Sequence, residues 1–179
     1  TQQIGMKYTT IGNVSFITTI YVALVPFLSY LYFRKPIKRN AYIAAALAIG
    51  GLYLLSTSGR SLDQMSIGDL IVFLGSGIWA THIIIVGKAT EKIDPIQSSS
   101  GQFLVSGVLN MLCWRIFDAS HPGNVADYWP ILLYSGIMVI GGGFTLQAIG
   151  QQHAEESKAA IILGLEAVFG ALAGVLILH

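Results

Sequence analysis

Long apolar runs alternate with short polar breaks along this chain. The first, from about Val14 to Phe33, holds no charged residue and ends at Arg34-Lys35-Pro36-Ile37-Lys38-Arg39, where a helix-breaking proline sits among four cations. A second covers about Ala41 to Ser56 and is rich in alanine and glycine. The polar stretch Gly59 to Ser66 precedes a third run, Leu70 to Gly87, which Lys88, Glu91, Lys92 and Asp94-Pro95 follow. The fourth extends from about Ile96 to Phe117, with Arg115 near enough its end to snorkel. After the polar connection Asp118 to Asp127, Tyr128-Trp129 form an interfacial aromatic anchor for a fifth run reaching about Gln151. The sixth is about Ser157 to Leu178. Runs of roughly 20 apolar residues are what a helix needs to cross a bilayer. They are too long and too uniformly apolar for the strand alternation of a membrane barrel. The pattern predicts an all-α integral membrane protein, a polytopic helix bundle with six crossings.

Two stretches, Gln2 to Leu31 and Gln147 to Leu176, read as weak copies of one segment. At a spacing of 145 positions Gln2 falls on Gln147, Ile4 on Ile149, Gly5 on Gly150, Ile17 on Ile162 and Leu31 on Leu176. Five crossings separate the copies, an odd number, so they face opposite ways in the membrane. That is the inverted-repeat plan of secondary transporters. The cations set the direction. Arg34, Lys35, Lys38, Arg39, Lys88, Lys92 and, more marginally, Lys158 fall on one side, and Lys7, Arg60 and Arg115 on the other. The richer side is cytoplasmic by the positive-inside rule. The first crossing then runs inward and the sixth outward, in agreement with the repeat.

Both ends read as cut, so the chain is expected to be a piece of a longer polypeptide. If the repeating unit holds five helices, the six crossings are helices four to nine of ten. Residues 1–58 are then the C-terminal part of the first repeat, 59–68 a connection, and 69–179 a second repeat lacking its last helix.

Composition narrows the classes. The chain is 54% hydrophobic and 11% charged, with mean hydropathy +0.66. Soluble domains carry about 25% charged residues. A net charge of +1 gives no reason to expect nucleic acid as a partner. The single cysteine, Cys113, cannot form an internal disulfide, lacks metal-ligand spacing, and is expected to be a small core residue. No cofactor motif is present.

Several segments now resemble one family. Gly68-Asp69-Leu70 followed by Gly77-Ile78-Trp79-Ala80 resembles the start of the second repeat in the drug/metabolite transporter superfamily, EamA type. Gln2-Gln3-Ile4-Gly5, Tyr8-Thr9-Thr10-Ile11-Gly12-Asn13 and Tyr21-Val22-Ala23-Leu24-Val25-Pro26 are similar to the region of helix four of its first repeat. Ser157-Lys158-Ala159-Ala160 through Leu165-Glu166-Ala167-Val168-Phe169 is similar to helix nine, with Ala167 where the family often has proline. The resemblance implies ten helices in two inverted five-helix repeats. It also implies transport of small metabolites, commonly export, driven by an ion gradient or by exchange.

Glu166 is the sharpest candidate for chemistry. An acidic residue near mid-span costs roughly 2.5–3.5 kcal/mol to insert, offset by apolar neighbours at about −0.3 to −0.6 kcal/mol each. Gly170 and Gly174 continue its helical face as a close-packing stripe, so Glu166 is expected to point into the bundle. It is either a protonatable, substrate-facing carboxylate or a protonated packing residue bonded to a neighbouring helix. Tyr21 occupies the repeat position of Glu166 and either faces the same cavity or simply packs. Trp79 and His82 lie three apart, one face of the third crossing, with Gly75 a turn before. His82 either couples to protons or is hydrogen-bonded within the bundle. Gln102 and Gln147 need hydrogen-bond partners in a dry interior. Gly141-Gly142-Gly143 before Gln147 either loosen the helix at a site or permit tight approach. Ser98-Ser99-Ser100-Gly101 suits close helix contact, and the sequon Asn13-Val14-Ser15 abuts a membrane span and is discounted.

Together these readings favour a permease in a bacterial inner membrane, with the Arg34–Arg39 loop cytoplasmic and a small-molecule substrate. Protons or a counter-substrate are the expected coupling partners, the bilayer is the surrounding partner, and a homodimer is compatible. A non-transporting membrane scaffold on the same fold is the alternative. An intramembrane enzyme is disfavoured because no His-Glu-x-x-His, Gly-x-Ser-Gly or paired intramembrane aspartates occur.

Overall fold

The computed structural model describes residues 2–9, 11–34, 37, 39–57, 66–117 and 128–178. Every regular element among them is helical: α1 (Gln2–Gly5), α2 (Ile11–Thr19), α3 (Tyr21–Phe33), α4 (Arg39–Thr57), α5 (Ile67–Thr90), α6 (Pro95–Phe117), α7 (Trp129–Tyr134), a π-helical segment (Ser135–Phe144), α8 (Thr145–Gln152), α9 (Glu156–Gly164) and α10 (Glu166–Leu178). The outcome follows from backbone polarity, since in hydrocarbon a helix satisfies its own N–H and C=O groups. Three stretches are long and apolar enough to cross a membrane, Asn13–Phe33, Ile67–Thr90 and Trp129–Gln152. The other three expected crossings are helices too, α4, α6 and the α9–α10 pair. In α6, Ser98, Ser99, Ser100, Gln102, Asn110 and Arg115 dilute the apolar character. The expected polar connections 59–65 and 118–127 lie outside the described residues.

Local chemistry sets the ends. Asp94 accepts the backbone N–H groups of Ile96 and Gln97 at 3.0 and 3.2 Å, with Pro95 as first helical residue, a cap that starts α6. Arg34 takes a left-handed conformation (φ 55°) and returns its N–H to the Tyr30 carbonyl at 2.8 Å, which stops α3. The Thr90 hydroxyl donates to the carbonyls of Val86 and Gly87 at the close of α5.

The chain divides into two compact units, Thr1–Ile85 with Glu155–His179, and Val86–Ala154. In the first unit α3 packs against α4 and α9, and α2 against α4. Its core is Tyr21, Val22, Val25, Ala80, Ile83, Ile84 and Ala160, with Leu24, Leu28, Trp79, Ile161 and Leu163 around it. Phe16 meets Tyr53 edge-on at 5.6 Å between α2 and α4. In the second unit α6 packs along α8 and the π-helical segment. Leu104, Met111 and Ile116 on α6 are 70%, 70% and 71% exposed. Apolar surface on that scale is covered by lipid or protein, not water. Cys113 is likewise exposed, which corrects the expectation of a core position.

The first and sixth crossings are each interrupted once, at related places. α2 and α9 have 9 residues each, α3 and α10 have 13 each. At the 145-position spacing Ile11 falls on Glu156, Thr19 on Gly164, Tyr21 on Glu166 and Phe33 on Leu178. The interruptions are Ile20 and Leu165, where the N–H reaches back three residues, to Ile17 at 3.2 Å and to Ile162 at 3.1 Å. Such tight turns mark strain or a hinge in a long helix. The Thr19 hydroxyl donates to the Ser15 carbonyl at 2.8 Å, a bond that bends helices.

Candidate functional site

The two interruptions meet. A Cβ built on Gly164 would lie 2.8 Å from Val22 Cγ2 and 3.7 Å from Thr19 Cγ2, so α9 crosses α3 where both helices turn. Glycine permits this approach without displacing the Val22 side chain. Immediately after each turn stands one candidate from the sequence. Tyr21 is 2% exposed, in the core. Glu166 is exposed at the surface of this unit, not packed within it. The turn at Leu165 redirects α10, so the face of Glu166 no longer continues the buried face of α9, where Ala159, Ala160 and Gly164 lie. The packing of Gly170 and Gly174 lies outside the described residues.

Trp79 and His82 stack on α5 with ring centroids 5.0 Å apart and planes at 22°. One helical turn brings the rings together, as their spacing of three requires. Trp79 also packs against the core that holds Tyr21. The first unit therefore gathers Tyr21, Trp79 and His82 beside the crossing of the interrupted helices, with Glu166 directly after the turn at Leu165. That set offers an aromatic wall, a carboxylate and an imidazole.

Gln102 and Gln147 belong to the second unit and find partners on their own helices. Gln102 Nε2 donates to the Ser98 carbonyl and hydroxyl, each at 3.3 Å. Gln147 Nε2 donates to Gln151 Oε1 at 3.2 Å. Gly141-Gly142-Gly143 lie within the π-helical segment, a helix widened to i→i+5 bonding. Ser99 is buried, and Asn13 of the discounted sequon is buried too.

One cluster escaped sequence reasoning. Asp69, 2% exposed, accepts the Thr9 hydroxyl and Asn13 Nδ2 (3.4 Å) at Oδ1, and the Ser66 N–H at 2.8 Å at Oδ2. Its own N–H donates to Ser66 Oγ at 3.2 Å. Ser66-x-x-Asp69 ahead of an apolar run is a capping-box signature, and it was the signal available. The partners Thr9 and Asn13 were not legible, because they come from 56 to 60 residues away.

An all-helical chain with apolar helices of membrane length belongs to the class of polytopic helical membrane proteins. The family follows from comparison: the chain matches the EamA-like transporter family over residues 1–57 and 66–179, and belongs to it. It is similar to an uncharacterized transporter of Archaeoglobus fulgidus, 26% identical over 99% of this chain and 56% of the relative. An uncharacterized transporter of Methanothermobacter thermautotrophicus is 24% identical over 98% of this chain and 52% of its own length. Uncharacterized transporter YyaM of Bacillus subtilis is 21% identical over 90% of this chain and 55% of its own. The chain thus spans about half the length of these relatives. No solved structure matches it.

Proposed function

We propose that the chain carries helices four to nine of a ten-helix secondary transporter that moves small polar or amphipathic metabolites by alternating access. Its layout is residues 1–58 from one inverted repeat, 59–68 as connection and 69–179 from the other. The observation that carries this is the pair of interruptions at Ile20 and Leu165, at one repeat spacing and in contact through Gly164 and Val22. Discontinuous helices at a repeat interface are where such proteins build their sites. Tyr21 and Trp79 form the apolar wall of the substrate path, and Glu166 and His82 supply the groups that exchange a proton or hold a polar substrate. Within the second unit, Gln102 and Gln147 are the polar groups offered to a substrate. The bundle works by binding and rearrangement rather than by bond chemistry. The protein sits in a bacterial inner membrane with Arg34–Arg39 in the cytoplasm and Ser66 outside. The driving force is a proton gradient or a counter-substrate, and the assembly is a monomer or homodimer.

Efflux and uptake of a panel of labelled small metabolites by cells expressing the full-length protein tests this. Wild type is expected to move at least one compound above the empty vector, and Glu166→Gln and Trp79→Ala to reduce that flux. Wild type, both variants and empty vector behaving alike would remove the transport reading and favour a scaffold.

A further inference from the structure

We infer that Asp69 is a positioning residue, the fixed half of an outer latch that Thr9 and Asn13 close during the transport cycle. The inference rests on the topology proposed above, which puts the start of α5 and the α1–α2 connection on the outer side.

The latch has two layers. The polar layer is the Asp69 carboxylate with its donors from three separate chain segments: the residues after α1, the start of α2, and the residue preceding α5. Beneath it is a close approach of backbone to backbone at Gly5 and Gly68, flanked by Val72 and Tyr8. A Cβ on Gly68 would lie 2.7 Å from the Gly5 carbonyl oxygen, and one on Gly5 would lie 2.5 Å from Val72 Cγ2 and 3.1 Å from the Gly68 oxygen. Neither glycine has a side chain to interlock with the facing segment, so little has to rearrange for the surfaces to part. Val72, whose Cγ2 lies against Gly5, is 1% exposed, as is Val14 on α2.

Opening would leave no orphaned charge. Asp69 keeps the Ser66 N–H at Oδ2, and it keeps the favourable N-terminal dipole of α5, in either position of the α1–α2 segment. Only the Thr9 and Asn13 bonds at Oδ1 are given up, and water at the membrane surface replaces both donors. Exchanging protein donors for water is nearly balanced in free energy. A carboxylate secured from its own helix and shared with a second element is therefore suited to two states. A carboxylate held only by the distant element would resist opening, because separation would strand it.

The test measures access, not flux. In full-length protein with Cys113→Ser, Val72→Cys reports the space behind the latch through its labelling rate with a membrane-impermeant maleimide on intact cells. Asp69→Asn and Thr9→Val are expected to raise that rate at least about tenfold, equivalent to about 1.4 kcal/mol in the closed–open equilibrium. Their combination should add little to Asp69→Asn alone, because the amide's one acceptor oxygen cannot serve both the Ser66 N–H and the Thr9 and Asn13 donors, so both changes weaken the same contact. Ser66→Ala, which leaves the Thr9 and Asn13 bonds in place, should stay within about twofold of wild type on that same scale. Thr9→Val alone decides the matter if Asp69→Asn does not accumulate. Wild-type rates in the Asp69 and Thr9 variants overturn the latch. So does an equal rise with Ser66→Ala, which would mark a helix cap and nothing more. Labelling confined to permeabilised cells in every background overturns the outward placement and the proposal with it. A failed metabolite assay leaves the labelling result standing, so the two readings fail separately.

Discussion

Replacing Gly68 with alanine and, separately, Gly77 with alanine should move stability in opposite directions, although both lie on α5. The added Cβ at residue 68 meets the Gly5 carbonyl oxygen at 2.7 Å and Tyr8 C and Cβ at 2.9 Å. All three atoms belong to the main chain or are fixed to it, so no flexible side chain can move aside. Restoring ordinary contact near 3.4 Å means pushing α5 and the turn after α1 apart by several tenths of an ångström. That displacement also stretches the Thr9–Asp69 and Asn13–Asp69 hydrogen bonds. Overpacking of this kind costs about 1–3 kcal/mol, and alanine returns at most about 0.5–1 kcal/mol of helix propensity. The net expectation is a loss of about 1–2 kcal/mol. At Gly77 nothing lies within 4 Å of the new methyl, so only the propensity gain remains. Thermal unfolding of the full-length protein in detergent, followed by circular dichroism, reads both changes, at roughly 2–4 °C per kcal/mol for a chain of this class. A Gly68→Ala protein that melts at or above wild type, with Gly77→Ala below it, would refute the packing argument.

Other outcomes follow from the same contacts. Tyr21→Ala should cost about 3–5 kcal/mol, because the ring fills the core between α3, α5 and α9, and the same melting experiment measures it. Gly164→Leu should destabilise by about 1–3 kcal/mol by forcing α9 off Val22, with Gly164→Ala much milder because the valine side chain can shift. Removing the α6 cap with Asp94→Ala should cost about 1 kcal/mol, seen as faster amide exchange at Ile96 and Gln97. Cysteines placed at Lys38 and at Ser120 should label from opposite sides of the membrane; labelling from one common side would end the inverted arrangement.

Much of the architecture was written in local sequence. Six apolar runs gave helices close to their expected limits because hydrophobic length and polar punctuation act residue by residue, whatever the neighbours. Leu70 to Gly87 grew only to Ile67–Thr90, extended by the Ser66 and Thr90 bonds at its ends. The repeat spacing that pairs Tyr21 with Glu166 was legible as well, since it needs only a count. The neighbours of each polar group were not. Glu166 lies exposed and Cys113 faces outward, because orientation about a helix axis depends on a turn at Leu165 and on which helices pack alongside. Gln102 and Gln147 found partners one turn away, a local solution open to any amide on a helix. Asp69 read as a boundary marker until folding carried Thr9 and Asn13 across about 60 residues to its Oδ1. Sequence alone determined that the chain is a helical membrane protein and where polar residues punctuate its apolar runs. Tertiary structure decided which side chains meet, because contact between distant segments depends on backbone approach, here permitted by Gly5, Gly68 and Gly164, and not on any periodicity along the chain.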